Sequence, residues 1–315
     1  MVQEKTAPDY TVNQKVSVII PTLNGGARFK EMLSALAGQS LVPDEILVID
    51  SSSSDDTLDT ARAFNATVRS ISHEEFDHGG TRTLAGHMAT GDILVYMTQD
   101  AVVAEPDSLK KLIAPFAEER IAASYGRQLP CQNATCFARH LRKFNYPGES
   151  SVRCWEDRKK YGFKTAFISN SLAAYRRNLL EGVGFFEDGL LFGEDTFTVA
   201  KLLRNGYCVA YAADARVFHS HNYSVCQDFR RYFDIGVFHA DHAELLGQFG
   251  TPLGEGKRFV RSEFRHLANE REYIKLPESI LRSSIKFLAY NLGKRYSVLP
   301  RRLAVWCSLN RQWWS

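Results

Sequence analysis

The sequence predicts an α/β fold built on a largely parallel sheet, and three short runs predict it: Val16–Asn24 (VSVIIPTLN), Glu45–Thr57 (EILVIDSSSSDDT) and Asp92–Ala101 (DILVYMTQDA). Each is an apolar, β-branched stretch that stops abruptly at small polar or acidic residues. A run bounded in this way is the pattern of a strand buried on both faces, as in a parallel sheet. In open α/β sheets, ligands bind beyond the carboxyl ends of the strands. Thr22, Asn24, Asp50 to Asp55, Gln99 and Asp100 are therefore expected together on one rim. The first strand is followed by Pro-Thr-Leu-Asn-Gly-Gly, not by a glycine-rich phosphate loop. This argues against a dinucleotide-binding dehydrogenase and against a P-loop NTPase. A rim with carboxylates and no phosphate loop suits a nucleotide whose phosphates are neutralised by a metal ion.

The elements follow in order. Phe29, Leu33 and Leu36 give residues 27–38 helical spacing, closed by Gly38. The second strand is Ile46–Asp50, and Ser54 or Asp55 can cap a helix carrying Leu58, Ala61 and Phe64. A short strand is expected over Thr67–Ile71, a turn-rich loop over His73–Gly80, and a helix over Thr81–Ala89 that ends at Gly91. Ile93–Met97 is the fourth strand, and Leu109, Leu112, Ile113 and Phe116 mark a helix over Ser108–Glu119. This β-α alternation is a Rossmann-like half. Arg127–Lys164 reads as irregular, rich in aromatic, basic and Cys residues, and too long for an ordinary connection, so it is a candidate substrate-binding insertion. A strand over Ala166–Tyr175, a helix over Phe192–Asn205 and short strands at Val209–Ala212 and Arg216–His219 come next, with helices from Val225 onward.

With 315 residues the chain has room for one large domain with an appendage, or for two domains. The six Cys (131, 136, 154, 208, 226 and 307) form no CxxC and no regular spacing, which fits a reducing compartment better than a disulfide framework or a zinc site. Met1–Gln14 is polar and mixed in charge, unlike a signal peptide, and no apolar run is long enough to span a bilayer. Net charge is +3, but residues 257–315 hold 13 Lys/Arg against four Glu, a balance of +9, so residues 1–256 carry −6. A basic end on an acidic body points to an anionic partner, membrane or nucleic acid.

With these residues placed, the chain resembles the family 2 glycosyltransferases over residues 15–222. The family's opening strand and Pro-Thr/Tyr-x-Asn appear as Pro21-Thr22-Leu23-Asn24, and its Val-Asp-Asp-Gly-Ser-x-Asp-x-Thr as Ile49–Thr57, with Ser51 in place of the second Asp. Its metal-binding Asp-x-Asp aligns with Thr98-Gln99-Asp100, leaving Asp100 the only carboxylate there, and its Glu-Asp pair appears as Glu194-Asp195. Within the family, Phe76–Arg82 (FDHGGTR), Thr98–Ala101 and Arg231–His239 (RYFDIGVFH) resemble the bacterial rhamnosyltransferases. The resemblance implies a GT-A fold: a Rossmann-like mixed sheet flanked by helices, here with a helical C-terminal extension. It divides the chain into a transferase domain over 1–224 and a helical region over 225–315. It further implies inverting transfer of L-rhamnose from dTDP-β-L-rhamnose to a lipid-linked saccharide in O-antigen or similar polysaccharide synthesis. Such an enzyme would be cytoplasmic, on the inner face of the bacterial cytoplasmic membrane. The implied catalytic base is Asp195. The implied nucleotide-sugar contacts are Pro21, Thr22, Asn24, Asp50, Ser52, Ser53, His78, Arg82, Gln99 and Glu194. The implied metal ligands are Asp100 and a later His, either His219 or His221.

The chemistry supports those roles. Transfer from a nucleotide sugar needs a neutralised leaving diphosphate, a deprotonated acceptor hydroxyl and in-line placement of the anomeric carbon. Asp100 offers a hard oxygen ligand for Mg²⁺ or Mn²⁺, and a His favours Mn²⁺. Asp195 opens a helix, where the dipole favours a carboxylate; a plain helix cap is the competing reading. One base without a second nucleophile means a single displacement with inversion. On a strand, His219 and His221 would point to opposite faces, so one of them, His219 by preference, is expected at the metal. Arg82 follows a Gly-Gly pair that permits close backbone approach, and it is read as a phosphate clamp, a partner of Asp50 or a surface ion pair. Leu281, Ile285, Leu288 and Leu292 share one helical face, with Arg301, Arg302, Trp306, Arg311, Trp313 and Trp314 beyond, as in a membrane-surface segment; a helical pair packed on the main domain is the competing reading. The competing functions are a family 2 transferase using another sugar nucleotide such as a UDP-sugar, a non-catalytic glycan-binding scaffold, and a nucleic-acid-binding module. No nucleic-acid motif is present and the acidic body would repel phosphates, so nucleic acid is not an expected partner.

Overall fold

Alternate side chains of the first strand serve two different cores. The computed structural model, which describes residues 14–250 and 253–314, places Val16, Val18 and Ile20 against Phe29, Met32, Leu33 and Leu36 on one face of the sheet. Ile19 joins Leu47, Ile49, Ala85, Phe185, Val199 and Leu203 on the other. This is why the run carries no polar alternation. The amino-terminal segment up to residue 13 lies outside the described residues.

The elements are β1 (Val16–Thr22), α1 (Gly26–Ala37), β2 (Glu45–Asp50), α2 (Thr57–Ala63), β3 (Thr67–Ser70), α3 (His78–Met88), β4 (Ile93–Met97), β5 (Val102–Val103) and α4 (Ser108–Ile113). Then come β6 (Ile121–Leu129), α5 (Cys136–Asn145), β7 (Ser151–Arg153), α6 (Arg158–Tyr161), β8 (Leu172–Arg176), α7 (Arg177–Gly182), α8 (Glu194–Arg204) and β9 (Cys208–Phe218). Five helices follow: α9 (Val225–Asp241), α10 (Ala243–Leu246), α11 (Leu253–Asn269), α12 (Leu276–Gly293) and α13 (Arg301–Cys307). One sheet has the order β3-β2-β1-β4-β8-β6-β9-β5, with β7 also paired to β9. β1 to β4 are parallel, β8 is antiparallel between β4 and β6, and β6 and β9 are parallel. The sheet is thus mixed, with the expected parallel half at one side.

Several elements differ from the sequence reading. β6 was not expected, because Ala122, Ala123, Ser124 and Gly126 give it little β-propensity; its burial between β8 and β9 overrides that. The stretch 127–164, read as irregular, contains the end of β6, then α5 and β7. α3 starts at His78, not Thr81: Asp77 caps it by accepting from the Gly79 and Gly80 amides, and two glycines in the first turn conceal the helix. Gly79 is obligatory, since a Cβ there would lie 1.7 Å from the Glu187 carbonyl oxygen. β8 begins at Leu172, which leaves Ser169, Asn170 and Ser171 in a loop. The two short strands near residue 210 are one, β9. Cys154 and Cys208 form a disulfide, contrary to the expectation of unpaired thiols; their separation of 54 residues gives no motif to read, and β7–β9 pairing brings them together. Among the described residues Cys131, Cys136, Cys226 and Cys307 are free.

α9 and α12 cross at two glycines. A Cβ on Gly236 would sit 2.3 Å from the Tyr290 carbonyl oxygen, and one on Gly293 would sit 2.1 Å from that of Phe233. α9 also sends Phe238 into the core shared with the sheet, so packing is continuous across residue 224. α12 is inverted relative to an ordinary surface helix. Its inner face holds Arg282, which donates to Asp228 at 2.6 Å, Lys286 at 3.6 Å from the same carboxylate, and Ser279 bonded to Glu263. Its outer face holds Ile280, Leu281, Phe287 and Leu288, each 51 to 63 % exposed. Ile285 and Leu292, expected on the outer stripe, are half-buried instead. Among the described residues no helix is long and apolar enough to cross a membrane.

Candidate active site

The rim is assembled from strand ends. Thr22 donates to Asp50 Oδ1 at 2.9 Å, the Ser53 amide donates to Asp50 Oδ2 at 2.8 Å, and the Ser53 hydroxyl donates to Oδ1. Asp50 is fully buried, so it fixes the turn, while the exposed Asn24 and Ser52 and the half-exposed Pro21 and Ser53 form the surface above it. Asn24 and Ser52 both take positive φ, 47° and 66°, the geometry of this tight pair of loops. Gln99 latches the β4 loop to the β1 loop, accepting from the Leu23 amide at 2.9 Å and donating to the Leu23 carbonyl at 3.0 Å.

At the end of β4, Asp100 meets His219 and His221, all three presenting ligand atoms within 4.8 Å of one another. The expectation that only one His reaches this point is corrected. β9 ends at Phe218, so strand alternation no longer applies, and the two rings lie 4.6 Å apart, centre to centre. His219 Nδ1 lies 2.9 Å from Gln128 Oε1, and Nε2 lies 3.5 Å from Asp100 Oδ1. An Nδ1–H donated to Gln128 leaves the Nε2 lone pair directed at Asp100, the tautomer that a metal ligand requires. Burial pushes His219 down to about 3, so it is neutral at physiological pH. Arg28 braces this corner, donating to the carbonyls of Asp100 and Phe218. One carboxylate and two neutral imidazoles make a donor set that fits Mn²⁺.

Beside this corner lies a cavity of about 400 Å³ whose lining includes His78, Arg82, Thr98, Asn170, Glu194 and Asp195. Gly193, at φ 82°, turns the chain into α8 and delivers Glu194 and Asp195 to it. Arg82 lies 3.3 Å from Glu194, and both side chains are buried. This replaces the expected pairing of Arg82 with Asp50 or with a surface acid. Burial opposes the Glu194 charge, but Arg82, His78 and the hydrogen bonds from its own amide and from Asn170 together outweigh it and hold the carboxyl below its usual range. Asp195 behaves in the opposite sense: burial first, and then the Glu194 charge beside it, push its carboxyl up to about 7. Asp195 accepts from the Thr196 amide at 2.6 Å and the Asn170 amide at 3.2 Å; no side chain caps α8, so the helix-cap reading does not apply. A carboxylate near neutral pKa in a cavity is a competent proton acceptor.

Sequence reasoning missed Gln128, Asn170 and the cavity role of Arg231. Gln128 also donates to the Ser169 hydroxyl at 2.9 Å, and Asn170, held by the Tyr175 hydroxyl at 2.8 Å, donates to Glu194. One buried amide therefore links the His219 corner to the loop that supports Asp195. It lay inside the unrecognised β6. Arg231, stacked 3.7 Å above the Phe192 ring, brings a guanidinium to the cavity; the motif around it was visible, its position was not.

The model of glycosyl transferase family 2 matches residues 17–184. The chain belongs to that family. It is an inverting glycosyltransferase with a GT-A fold. It is 41% identical over 303 residues to the O-antigen chain rhamnosyltransferase RfbN of Salmonella typhimurium, covering 96% of each chain. It is 40% identical over 301 residues to the O-antigen chain rhamnosyltransferase WbaN of Salmonella anatum, covering 95% of each. In fold it is similar to the mannosyltransferase PcManGT of Pyrobaculum calidifontis, solved with GDP-Man and Mn²⁺ (TM-score 0.59, 20% identity, 98% of this chain and 90% of that one). It is also similar to S. aureus TarS 1-349 with UDP-GlcNAc (TM-score 0.56, 18% identity, 94% and 84%). These last two show the fold alone.

Proposed function

We propose that this enzyme transfers L-rhamnose from dTDP-β-L-rhamnose to a lipid-linked saccharide in O-antigen synthesis, with inversion. The observation that carries the reading is the near full-length similarity to two O-antigen rhamnosyltransferases. The site residues support it chemically. The rim formed by Pro21, Asn24, Ser52 and Ser53 receives the nucleoside, while the expected contact Thr22 is buried beneath it and, with Asp50 and Gln99, holds the loops in register. Asp195 takes the proton of the acceptor hydroxyl as that oxygen attacks the anomeric carbon. Arg82 keeps Glu194 charged, and that charge keeps Asp195 basic enough to hold the proton. Arg231 and His78 add donors at the cavity wall. Asp100, His219 and His221 would hold a divalent ion, Mn²⁺ by their chemistry, which would neutralise the leaving diphosphate.

The helical region beyond residue 224 supplies the acceptor side and the contact with the membrane. An amphipathic helix that buries its charges and exposes Ile280, Leu281, Phe287 and Leu288 is built to lie on an apolar surface. Exposed Arg271, Lys294, Arg295, Arg301 and Arg302 suit the anionic headgroups around it. The surface is the inner face of the cytoplasmic membrane, where a polyprenyl-linked acceptor lies.

A panel of sugar nucleotides tests the proposal by melting and by product analysis, with and without Mn²⁺. dTDP-L-rhamnose should raise the melting temperature more than UDP-glucose or GDP-mannose, and more with Mn²⁺ than without. A larger shift and faster turnover with a UDP-sugar would overturn the donor assignment.

A further inference from the structure

The motif Arg231–His239 contains one acid whose place the reaction does not explain. Asp234 lies on α9, is 2 % exposed and lines the catalytic cavity. Its Oδ2 accepts from the amides of Leu309 (2.9 Å) and Asn310 (3.3 Å), residues 75 and 76 positions away. The Ser308 hydroxyl sits close by without completing a hydrogen bond of ordinary geometry. A buried carboxylate spent on two backbone amides of a distant segment fixes that segment.

The segment begins in the wall of the cavity, with Leu309 and Asn310 among its lining residues. From Leu309 it runs to Trp314, and three more side chains tie it down: Asn310 Nδ2 to the Leu191 carbonyl at 3.3 Å, Gln312 to the His73 carbonyl at 3.1 Å, and Trp313 Nε1 to the Gly189 carbonyl at 2.7 Å. Gly189 and Leu191 belong to the loop that delivers Glu194 and Asp195. His73 starts the loop that leads into His78. Leu309 and Asn310 line the same cavity as Asp195. The bond to Leu191 fixes the Asn310 carboxamide by its nitrogen, and its oxygen has no partner among the described residues. A fixed acceptor at a cavity wall is what a sugar hydroxyl needs.

Resting on the glycosyltransferase reading above, we propose that Leu309–Trp314 is a wall of the catalytic cavity, that the Asn310 carboxamide oxygen binds a hydroxyl of the sugar held there, and that Asp234 positions it. The hydroxyl belongs either to the donor sugar or to the acceptor sugar. The chemistry is the same, and the two are separable by experiment.

The test uses full-length protein and the variant Asn310→Ala. The donor is whichever of dTDP-L-rhamnose and UDP-glucose the wild type turns over, so a wrong donor shows in the wild type and a wrong role for Asn310 only in the variant. If the donor sugar is read, Asn310→Ala weakens binding of the sugar nucleotide about tenfold and leaves the nucleoside diphosphate unchanged. If the acceptor is read, donor binding is unchanged, but KM for a polyprenyl-diphosphate-linked hexose rises about tenfold, and the ratio of transfer to donor hydrolysis falls by a similar factor. Either result supports the proposal. A melting temperature close to wild type with neither change would overturn it, as would a fall in kcat and melting temperature with both affinities unchanged. Should Asn310→Ala fail to fold, amide exchange in the wild type decides. Residues 309–314 should be more protected with the sugar nucleotide or the hexose than with the nucleoside diphosphate alone, and equal protection in all three would overturn the proposal. Asp234→Asn tests the positioning: its affinity loss should follow the same substrate as Asn310→Ala, and a loss spread equally over nucleoside diphosphate and sugar would refute it.

Discussion

Asp195 and Glu194 are neighbours whose carboxyls shift in opposite directions, and the difference is environmental. Arg82 pairs with Glu194 and keeps it charged; Asp195 has two amides and the more distant Arg82 charge to help it, and burial and its neighbour outweigh them and raise it to about 7. A base must be ionised to accept a proton, so turnover should rise with pH up to about 7 and level off above it, with the inflection lost in Asp195→Asn. That variant should lose two to four orders of magnitude in kcat, on the order of what a general base contributes, while keeping donor affinity. Stability has the opposite sign. A carboxyl raised from 3.8 to about 7 on folding is still protonated in the native state where the unfolded chain has ionised. Its contribution is therefore full below 3.8 and declines as pH rises towards 7. Asp195→Asn should accordingly melt higher than wild type at pH 8, and a melting temperature below wild type there would show that Asp195 is structural. At the other end of the site, Asp100→Ala should abolish the response of activity to added Mn²⁺ with little loss of melting temperature, because a half-exposed rim carboxylate packs against little. Wild-type turnover indifferent to a chelator would remove the ion from the reaction.

Among the elements, those with a two-face apolar pattern were legible and those defined by partners were not. β1, β2 and β4 announce themselves because each is buried on both faces and ends in polar residues. β6 is nearly as buried, yet its small residues carry no pattern; only the neighbours β8 and β9 make it a strand. The same holds for the site. Asp100, Asp195 and the rim hydroxyls stand at the ends of legible strands or at a helix start, whereas Gln128 and Asn310 depend on segments 91 and 76 residues distant in sequence. Gly236 shows how a sequence motif can be structural. With its partner Gly293 it lets α9 and α12 approach until backbone meets backbone. A methyl group there clashes with a carbonyl oxygen and not with a flexible side chain, so relief requires the helices to separate. Gly293→Ala should destabilise by about 1–3 kcal/mol or more, as overpacking does, measured by urea unfolding. A change near zero would mean that the crossing is looser than described.

At the scale of the molecule, the two ends of the chain have divided the charge. The body carries −6 and residues 257–315 carry +9, and the basic end also carries the exposed apolar face of α12. Removing that end is the wrong way to ask what it does. α12 is the packing partner of α9, and Leu309 and Asn310 form part of the cavity wall, so truncation would damage the site along with any surface contact. Substitution of outward residues separates the two. Ile280, Phe287 and Leu288 touch solvent, so Ile280→Ser/Phe287→Ser/Leu288→Ser should leave the melting temperature and the hydrolysis of sugar nucleotide in solution near wild type. The full-length wild type should co-sediment with vesicles containing phosphatidylglycerol at low salt and be partly released at high salt, since each basic residue at such a surface contributes about 1 kcal/mol and salt screens it. The triple variant should bind less tightly at every salt concentration, because the apolar term is not screened, and transfer to a lipid-linked acceptor in vesicles should fall with it. A variant that binds vesicles as wild type does would show that the apolar face of α12 meets something other than lipid.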